Sequence, residues 1–388
     1  MYLSNILKIL YAPQKAIKEV TQNPRYIGPL LVLILFVAVN TGFVYFPLTR
    51  QHNEQTLPQT SPSVTNVDTW TQSASYWSSP NANITTSSDA INGTIYGNAS
   101  ISLSAENISQ VSMQLNGIGT VNCSSPDQYN LLSFRTKQTD PTSTPNNVTI
   151  QMLSLNSTSD YFYNDLTDVF RNATQNIWNN VTLELNASTW TPHGNPDWGN
   201  ITGVQLQFTW IANSNVTLLI DGLFFHGPFK SLLEVQGTDS LAYEGVYFAF
   251  QFVVEWVLLT GLIYVLVKAF KGNVVWKPTL IAVGFILMTT VIGGVINLLG
   301  AYATFPTIYY PFSVLGGVSG EGTAAANFIS TQQSAFNTIY LISGLLVLVW
   351  TVALTSLLVR TLTAFSWFKS IAIAVLAYII SYFLSAIL

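Results

Sequence analysis

Hydrophobic residues are concentrated in five runs, and each run is long enough to cross a bilayer as a helix. A bilayer-spanning helix needs about 17–25 predominantly apolar residues. The runs are 29–47, 246–267, 278–300, 337–359 and 370–388. The first and second runs are separated by a polar segment rich in Asn, Ser and Thr, long enough for a domain. This pattern predicts a polytopic α-helical membrane bundle of five transmembrane helices, with a domain inserted after the first helix.

Inside the polar segment, apolar and polar residues alternate with a period of two. Examples are TIYGNASISLSA, VSMQLNGIG, NVTIQMLSL and ITGVQLQFTW, and each run is bounded by Asn, Gly, Pro or Ser. Such runs are typical of half-buried strands, so the segment predicts an all-β sandwich. We therefore expect an amphipathic helix and the first transmembrane helix in 1–47, the sandwich in 48–232, and the other four helices in 233–388.

The residues ahead of the first run predict short helices on the inner membrane surface. Apolar residues cluster between Ile6 and Leu10, and Pro13 can begin a second helix. A signal peptide would have a short basic region, a 7–15-residue apolar core and a small-residue cleavage site. Here the apolar run starts late and lacks an Ala-x-Ala site, so we expect an anchor that is retained, with cleavage as the alternative.

Composition and charge support a membrane protein and predict its orientation. Only 8% of the residues are charged, against about 25% in soluble domains. Short loops rich in Lys and Arg stay in the cytoplasm. Lys and Arg precede the first run and lie in the loops that follow the second and fourth runs, whereas the loop 301–336 has neither. We expect a plasma-membrane protein with a cytoplasmic N-terminus, and with 48–245 and the C-terminus extracellular.

The polar segment also contains twelve N-x-Ser/Thr sequons, the acceptor pattern for N-linked glycans. They start at Asn83, Asn92, Asn98, Asn107, Asn122, Asn147, Asn156, Asn172, Asn180, Asn186, Asn200 and Asn215. Their confinement to the predicted outer side favours glycosylation, although abundant Asn, Ser and Thr in loops is the alternative. The single Cys123 permits no intrachain disulfide. A glycosylated, acidic domain without disulfides is typical of an archaeal cell surface.

Three segments of the insert resemble jelly-roll carbohydrate-binding modules with a galactose-binding-like fold. They are 132–137 (LSFRTK), 178–185 (WNNVTLEL) and 198–225, which contains WGNITGV and LLIDGLFF. The resemblance implies a binding module for glycans but transfers no ligand residues.

Two sites in this part of the chain have alternative interpretations. Trp190, His193 and Trp198 lie in one loop, TWTPHGNPDWGN. They could stack on a sugar or close the end of the sandwich. Asp221 could help to hold a structural calcium ion or could have a role at a strand end.

The N-terminal stretch YAPQKAIKEVTQNPRYIGPLLVLILF (11–36) resembles the start of the Yip domain (Ypt-interacting protein) family, in its prokaryotic type. The resemblance covers 1–47 and 240–388, and it implies a bundle of five membrane spans. Residues 26–29 (YIGP) are similar to the D-L-Y-G-P motif of eukaryotic members, but the Asp is missing. Eukaryotic members bind small GTPases in vesicle traffic, and without the Asp that role is not transferred.

One acidic residue, Glu255, lies in the middle of the second run. A charge at that depth costs roughly 2.5–3.5 kcal/mol on insertion scales, so such residues are often functional. Glu255 either makes a structural polar contact, with Asn40, Asn297 or Gln251, or lies on an ion or substrate pathway.

No catalytic, metal-binding or cofactor pattern is recognisable, and the three histidines are widely separated in the sequence. The acidic insert excludes a basic nucleic-acid surface. We therefore predict a non-enzymatic membrane protein that needs no cofactor and displays a glycosylated sandwich for binding glycans or envelope proteins. Its expected partners are the lipid bilayer, its own N-linked glycans and other envelope or membrane-complex proteins. The alternative is a transporter or channel component with Glu255 in its pathway.

Overall fold

The computed structural model describes residues 2–58, 68–125 and 127–385. The chain forms two compact units. The helical unit consists of Met1–Gln51, Ser231–Ile308 and Ser330–Leu388, and the sheet unit consists of His52–Lys230 and Tyr309–Ile329. The last three residues of the fifth predicted helix lie outside the described residues.

The helices, in chain order, are α1 (Tyr2–Tyr11), α2 (Pro13–Gln22), α3 (Ile27–Arg50), α4 (Thr167–Arg171), α5 (Leu232–Gln236), α6 (Asp239–Ala269), α7 (Trp276–Ile286), α8 (Met288–Thr304), α9 (Phe312–Gly316), α10 (Glu321–Gln332), α11 (Ser334–Thr363) and α12 (Trp367–Ser385). Five segments are long and apolar enough to cross a membrane: α3, α6, the α7–α8 pair, α11 and α12. The five predicted apolar helices are thereby confirmed. The sequence did not predict the break at Leu287 that divides the third of them.

The third apolar segment is the centre of the helical unit. Its most apolar stretch is 72% buried, against 22–39% in the other four segments. Glycines allow this close packing, because a Cβ added at Gly293 would lie 2.5 Å from Val347, and one at Gly294 would lie 2.9 Å from Val39. Helices with small residues at their interface can approach closely in this way.

The two N-terminal helices pack on the bundle through their apolar faces. Ile6 and Ile9 of α1 and Ile17 of α2 are buried in the same core as Phe252 of α6. The Lys8 ammonium pairs with the Glu19 carboxylate at 2.8 Å, which joins α1 to α2. The sequence predicted helices lying on the membrane surface, whereas protein side chains cover much of their apolar surface here.

The sheet unit has a long central strand. The strands are β1 (Gln51–Leu57), β2 (Trp77–Ser78), β3 (Asn83–Ser87), β4 (Ser100–Leu115), β5 (Leu131–Asp140), β6 (Asn147–Ser154), β7 (Ser157–Asp165), β8 (Asn179–Glu184), β9 (Thr191–His193), β10 (Ile201–Ser231) and β11 (Ile308–Tyr310). One path through the sheet runs β11-β1-β10-β6-β7-β9, while β4 pairs with β2, β3 and β10, and β5 pairs with β8 and β10.

The strands bury one face as the alternating pattern predicts. In β5 the inward residues Leu132 and Phe134 are fully buried, while the residues that alternate with them along the strand are partly exposed. The register of β10 with β4 shifts between Thr209 and Val216. Its first half lies between β4 and β6, and its second half lies between β4 and β5. The predicted β-rich domain is confirmed, and it also contains the short helix α4.

The sheet unit includes a segment that the predicted boundaries assigned to the helices. Residues 309–329 follow the third apolar helix in the chain but pack with the strands. The Phe312 ring lies 4.4 Å from that of Phe224 and 6.4 Å from that of Tyr96, measured between centroids. The segment has few residues in an alternating pattern, so its sequence gave no sign of this packing.

Candidate functional site

The predicted ligand loop contributes mostly to the core of the sheet unit. Trp190 is only 3% exposed, and its indole Nε1 donates to the Glu184 carbonyl at 2.8 Å. The half-buried Trp198 stacks on Phe162 with ring centroids 4.0 Å apart. Of the three predicted residues only His193 is exposed. The Trp190 indole is thus part of the core, whereas Trp198 packs against the core and remains partly exposed.

An outward-facing row of polar residues crosses four neighbouring strands. Tyr163 of β7 is paired with Gln151 of β6, Gln151 with Gln205 of β10, and Gln205 with Gln114 of β4. Residues paired directly across antiparallel strands share one face of the sheet. Since the alternate residues between them are buried, this row lies on the outer face.

A second row and an aromatic stack extend this surface. Thr149 is paired with Gln207, and Gln207 with Ser112, one step along the same strands. At the β7–β9 edge, the exposed His193 ring stacks on Tyr161 with centroids 4.6 Å apart. We call the surface formed by these two rows and this stack the glutamine–tyrosine face.

The polar groups of the glutamine–tyrosine face are available for binding. Among the described residues, the side-chain amides of Gln151, Gln205 and Gln207 have no hydrogen-bond partner, and Tyr163 is 39% exposed. An unpaired amide offers two donors and one acceptor oxygen. The signal in the sequence was the outward Gln in TIQML and VQLQF, but only the strand register brings these residues together.

The twelve sequon asparagines are all accessible to some degree. Ten of them are exposed, and Asn186 and Asn200 are half-buried. Asn186 is also constrained by a local turn, because its side-chain oxygen accepts from the Ser188 and Thr189 backbone N–H groups at 3.1 Å each. The described geometry therefore leaves room for glycans at most of the predicted sites.

Asp221 belongs to a buried pair of carboxyl groups. Asp221 and Asp68 are both 0% exposed, and the Thr71 hydroxyl lies between them, 3.1 Å from Asp68 and 3.3 Å from Asp221. The Ile91 backbone N–H also donates to Asp221, at 2.7 Å. Burial raises the pKa of Asp221 to about 8, and burial also raises that of Asp68. The pair therefore holds a proton near neutral pH.

The carboxyl pair does not form a recognisable metal centre. The described residues contain no group of three or more His, Cys, Asp or Glu side chains suited to a metal ion. The oxygens of the pair already accept hydrogen bonds from neighbouring N–H and O–H groups, including the Gly97 backbone N–H at 2.9 Å. The described residues around Asp221 therefore do not provide the set of ligands that a structural calcium ion would need.

Three residues distant in sequence form a Ser-His-Glu arrangement. The Ser133 hydroxyl lies 2.6 Å from His226 Nε2, and His226 Nδ1 lies 3.0 Å from the Glu54 carboxylate. The spacing resembles that of a hydrolytic triad, which the separated histidines of the sequence did not indicate. Phe312 covers this group, because its ring stands edge-on to His226 at 5.2 Å and its backbone N–H donates to Glu54 at 2.6 Å.

In the helical unit, Glu255 lines a cavity of about 310 Å³. Asn40, Asn297 and Gln251, the three residues considered as its partners, line the same cavity. None of them forms a hydrogen bond to the Glu255 carboxyl within the described part of the chain. The structure thus brings these predicted residues together around an open space.

No protein-family profile and no curated protein matches the chain. The Yip resemblance therefore stays a prediction. Several solved structures are similar to about two fifths of the chain, at low sequence identity.

One of these structures is the family 11 carbohydrate-binding module from Clostridium thermocellum in complex with a β-1,3-1,4-mixed-linked tetrasaccharide. It is 13% identical with a TM-score of 0.26, and the match covers 39% of this chain and 89% of the module. A second is an exo-β-agarase, at 12% identity and a TM-score of 0.30, covering 41% of this chain and 24% of the agarase. A third is tailspike protein 4 of bacteriophage CBA120, at 18% identity and a TM-score of 0.27, covering 40% and 20%.

Proposed function

We propose that the protein is a multi-pass membrane protein that displays its β-sandwich at the cell surface to bind glycans or other envelope proteins. The glutamine–tyrosine face is the observation that carries this proposal. It offers the unpaired amides of Gln151, Gln205 and Gln207 next to the exposed rings of Tyr163 and His193, on the scaffold of the sheet.

The chemistry of this face suits a sugar chain. A glycan has many hydroxyl groups, each of which can donate and accept a hydrogen bond, and a side-chain amide can satisfy both roles at once. Sugar rings also have apolar C–H faces that pack on aromatic rings such as those of Tyr161 and Tyr163. The two rows are two residues apart along the strands, which is about 6–7 Å. The face therefore fits an extended chain better than a single sugar.

The proposal of membrane insertion rests on the surface of the helical unit. The most apolar stretch of α3 has a mean hydropathy of 2.3, yet only 22% of it is buried within the protein. Large side chains such as Ile34 and Val265, each 62% exposed, point outward. Large exposed apolar patches mark contact with lipid or with other proteins. The loop charges support the proposal that the N-terminus is cytoplasmic and the sandwich is outside.

Glycosylation and a Yip-like origin of the bundle complete the proposal. The ten exposed sequons support N-linked glycans on the sandwich, and an archaeal cell surface is the setting we favour. The N-terminal stretch that resembles Yip proteins forms α2 and the start of α3, and the Yip resemblance supports a bundle of five spans.

Glycan binding can be tested on the full chain in neutral detergent with an array of immobilised polysaccharides. We expect binding to at least one glycan class and its loss in Gln205→Ala and Tyr163→Ala. Gln128→Ala, in a loop of the same unit, is the matched control and should bind as the wild type does. Binding that survives both face variants would reject the site, and an array without any signal would leave envelope proteins as the ligand class.

We also propose that the protein is not an enzyme, and the Ser133 group provides the test. A fluorophosphonate probe labels serines that a neighbouring base activates. We expect no labelling of Ser133, because the Phe312 segment covers His226. Labelling that disappears in Ser133→Ala would show a reactive serine and contradict this part of the proposal.

A second candidate function is transport, with the sandwich as an accessory domain. The cavity around Glu255 favours it, since all five apolar helical segments contribute polar side chains there. Uptake or efflux assays in vesicles that contain the protein would test it. A flux abolished by Glu255→Gln would support transport, while glycan binding should be unchanged in this variant.

A further inference from the structure

The cavity next to Glu255 is built from every apolar helical segment. Its polar lining residues are Asn40 of α3, Gln251 and Glu255 of α6, Thr290 and Asn297 of α8, Tyr340 of α11, and Tyr378, Ser381 and Tyr382 of α12. Polar residues are costly within apolar helices and are seldom placed there without a partner or a role. Their convergence on one space from five segments indicates a binding site.

Glu255 supplies the only acidic group in this lining. It lies about 24 Å from the first residue of α6 and about 21 Å from the last, at a rise of 1.5 Å per residue. No Lys, Arg or His is among the residues that line the cavity. In the described structure its carboxyl also forms no hydrogen bond or ion pair. A carboxylate in this position lacks a counter-charge, and a cationic ligand would supply one.

Ser381 is an independent sign that the cavity has an occupant. It is only 3% exposed, and its buried hydroxyl has no hydrogen-bond partner among the described residues. A buried hydroxyl left unpaired is destabilising, and its oxygen can accept a hydrogen bond from an N–H group of a ligand. Nearby, Asn40 Nδ2 donates one of its two N–H groups to the Phe36 carbonyl at 2.8 Å, and its side-chain oxygen remains as an acceptor. Acceptors for a ligand with N–H groups are therefore present.

The size of the cavity favours an organic cation over a metal ion. A water molecule occupies about 30 Å³ of liquid, so 310 Å³ would hold several molecules of that size. A hard metal ion needs about six oxygens at 2.0–2.6 Å, and one carboxylate in a space this large does not provide them. Aromatic rings, including those of Phe43, Tyr340 and Tyr378, also line it. Rings of this kind attract ammonium groups through cation–π interactions.

A second cavity, with an apolar part, adjoins the one next to Glu255. Its volume is about 700 Å³, and it shares Asn40, Asn297 and Tyr378 with the first cavity. Beyond the shared residues, its apolar side chains come from α11, such as Val347 and Leu348, and from α12, such as Ile379. The two spaces together have a polar acidic end and an apolar extension. This combination matches a molecule with a cationic head and an aliphatic chain.

We infer that this cavity binds an alkylammonium group, with the ammonium paired to Glu255 and the aliphatic chain extending along α11 and α12. The headgroup of an amine-bearing membrane lipid and a free aliphatic amine share this chemistry. The inference does not depend on glycan binding by the sandwich.

The test uses the full chain in neutral maltoside detergent with octylammonium as the probe. We expect a saturable rise of the thermal unfolding midpoint in the wild type. Glu255→Gln should raise the half-saturating concentration at least about tenfold. Glu244→Gln on the same helix, outside the cavity lining, is the matched control and should behave as the wild type does. Octanol, which has the same chain without the charge, should give no saturable shift.

A labelling measurement on the unmodified protein keeps the test valid if Glu255→Gln does not fold. Dicyclohexylcarbodiimide reacts with carboxyl groups in apolar surroundings, and mass spectrometry can locate the product. We expect labelling at Glu255 and its suppression by octylammonium but not by octanol. Labelling that octylammonium does not suppress would overturn the inference.

Two further measurements identify the source of the ligand and test whether a metal ion binds in its place. In nanodiscs, phosphatidylethanolamine should weaken octylammonium binding relative to phosphatidylglycerol if a lipid headgroup is the natural ligand. Equal binding in the two lipids would indicate a free amine, and either result supports the alkylammonium site. The inference would be overturned if Na⁺ or K⁺ produced the same Glu255-dependent shift, if octanol matched octylammonium, or if Glu255→Gln bound the probe as the wild type does.

Discussion

Arg135 of β5 and Glu321 of α10 form an ion pair across 186 residues of sequence. The guanidinium Nη2 donates to both carboxylate oxygens, at 2.9 and 2.7 Å. The Arg135 side chain is only 12% exposed, so solvent screens this pair less than it screens a surface pair. The pair fixes the segment 309–329 to the outer side of β5, next to the ring contacts of Phe312. This segment is therefore a structural part of the sandwich.

Breaking the ion pair should loosen the segment 309–329. In a double-mutant cycle of Arg135→Gln and Glu321→Gln, we expect a coupling free energy of about 1 kcal/mol, at the upper end for pairs that are partly exposed. The exposed pair Arg171–Asp168, with side chains 60% and 85% exposed, is the control and should give less than about 0.5 kcal/mol. Hydrogen exchange of 309–329 measures the loosening of this segment. Equal coupling free energies for the two ion pairs would contradict the prediction.

The buried carboxyl pair should make the sheet unit less stable as the pH rises. The folded-state pKa of Asp221 is about 8, against an ordinary value of 3.8. Between these values the folded chain keeps a proton that the unfolded chain has lost. The unfolding free energy therefore falls with increasing pH, by at most about 1.4 kcal/mol per pH unit for one proton. The proton's contribution is complete below about pH 4 and is lost as the pH passes about 8.

Hydrogen exchange at Ile91, whose backbone N–H donates to Asp221, can follow this dependence. We expect its protection, corrected for the intrinsic exchange rate, to fall between pH 5 and 8 in the wild type and to change much less in Asp221→Asn. The exposed Asp127→Asn is the control and should keep the wild-type slope. A flat wild-type profile would show that the pair does not hold the proton.

Close helix packing predicts opposite effects for two glycine substitutions. At Gly293 an added Cβ would meet Val347 at 2.5 Å, whereas at Gly261 no atom lies within 4 Å. Gly293→Ala should destabilise the bundle by about 1–3 kcal/mol, as overpacking does. Gly261→Ala should be neutral or stabilising by up to about 1 kcal/mol, since alanine favours the helix. Loss of the helical circular dichroism signal on heating in detergent would measure both, and similar melting of the two variants would refute the packing argument.

The sequence predicted those parts of the fold that depend on local pattern. The predicted run 29–47 lies within α3, because a long apolar run is sufficient to predict a helix that can span a bilayer. The alternation of Leu132 and Phe134 with polar neighbours identified β5 in the same way. The residues on both sides of Leu287 are apolar, so a hydropathy pattern does not show the break there.

The candidate sites were harder to predict because they depend on strand register and on packing between distant segments. Gln151 and Gln205 each showed only an outward position in a strand, and the antiparallel register places them side by side. In the same way, Ser133 and His226 meet only because β5 pairs with β10. Trp190 was an ambiguous choice at the sequence level, because an indole in a loop can equally stack on a ligand or fill a core.

The accessibility of the twelve sequons predicts an uneven pattern of glycosylation. A glycan extends from the side-chain nitrogen, so it needs open solvent around that atom. Ten sequon asparagines are exposed, among them Asn83, Asn147 and Asn215, whereas Asn186 and Asn200 are half-buried. Asn186 Nδ2 also lies 3.2 Å from the Glu184 carboxylate, to which it donates. We expect high occupancy at several exposed sites and low occupancy at Asn186 and Asn200 in protein from its native membrane.

Glycopeptide mass spectrometry after proteolysis would measure the occupancy at each site. The intact protein should also migrate above its sequence mass of 42.6 kDa and shift downward after enzymatic or chemical removal of glycans. Because glycosylation acts only on exported segments, occupied sites would place the sandwich outside the cell. Unmodified peptides at all twelve positions would remove the support for a glycoprotein and for the archaeal-surface setting. Glycans found mainly at Asn186 and Asn200 would instead show that accessibility in the folded sandwich does not determine which sites are used.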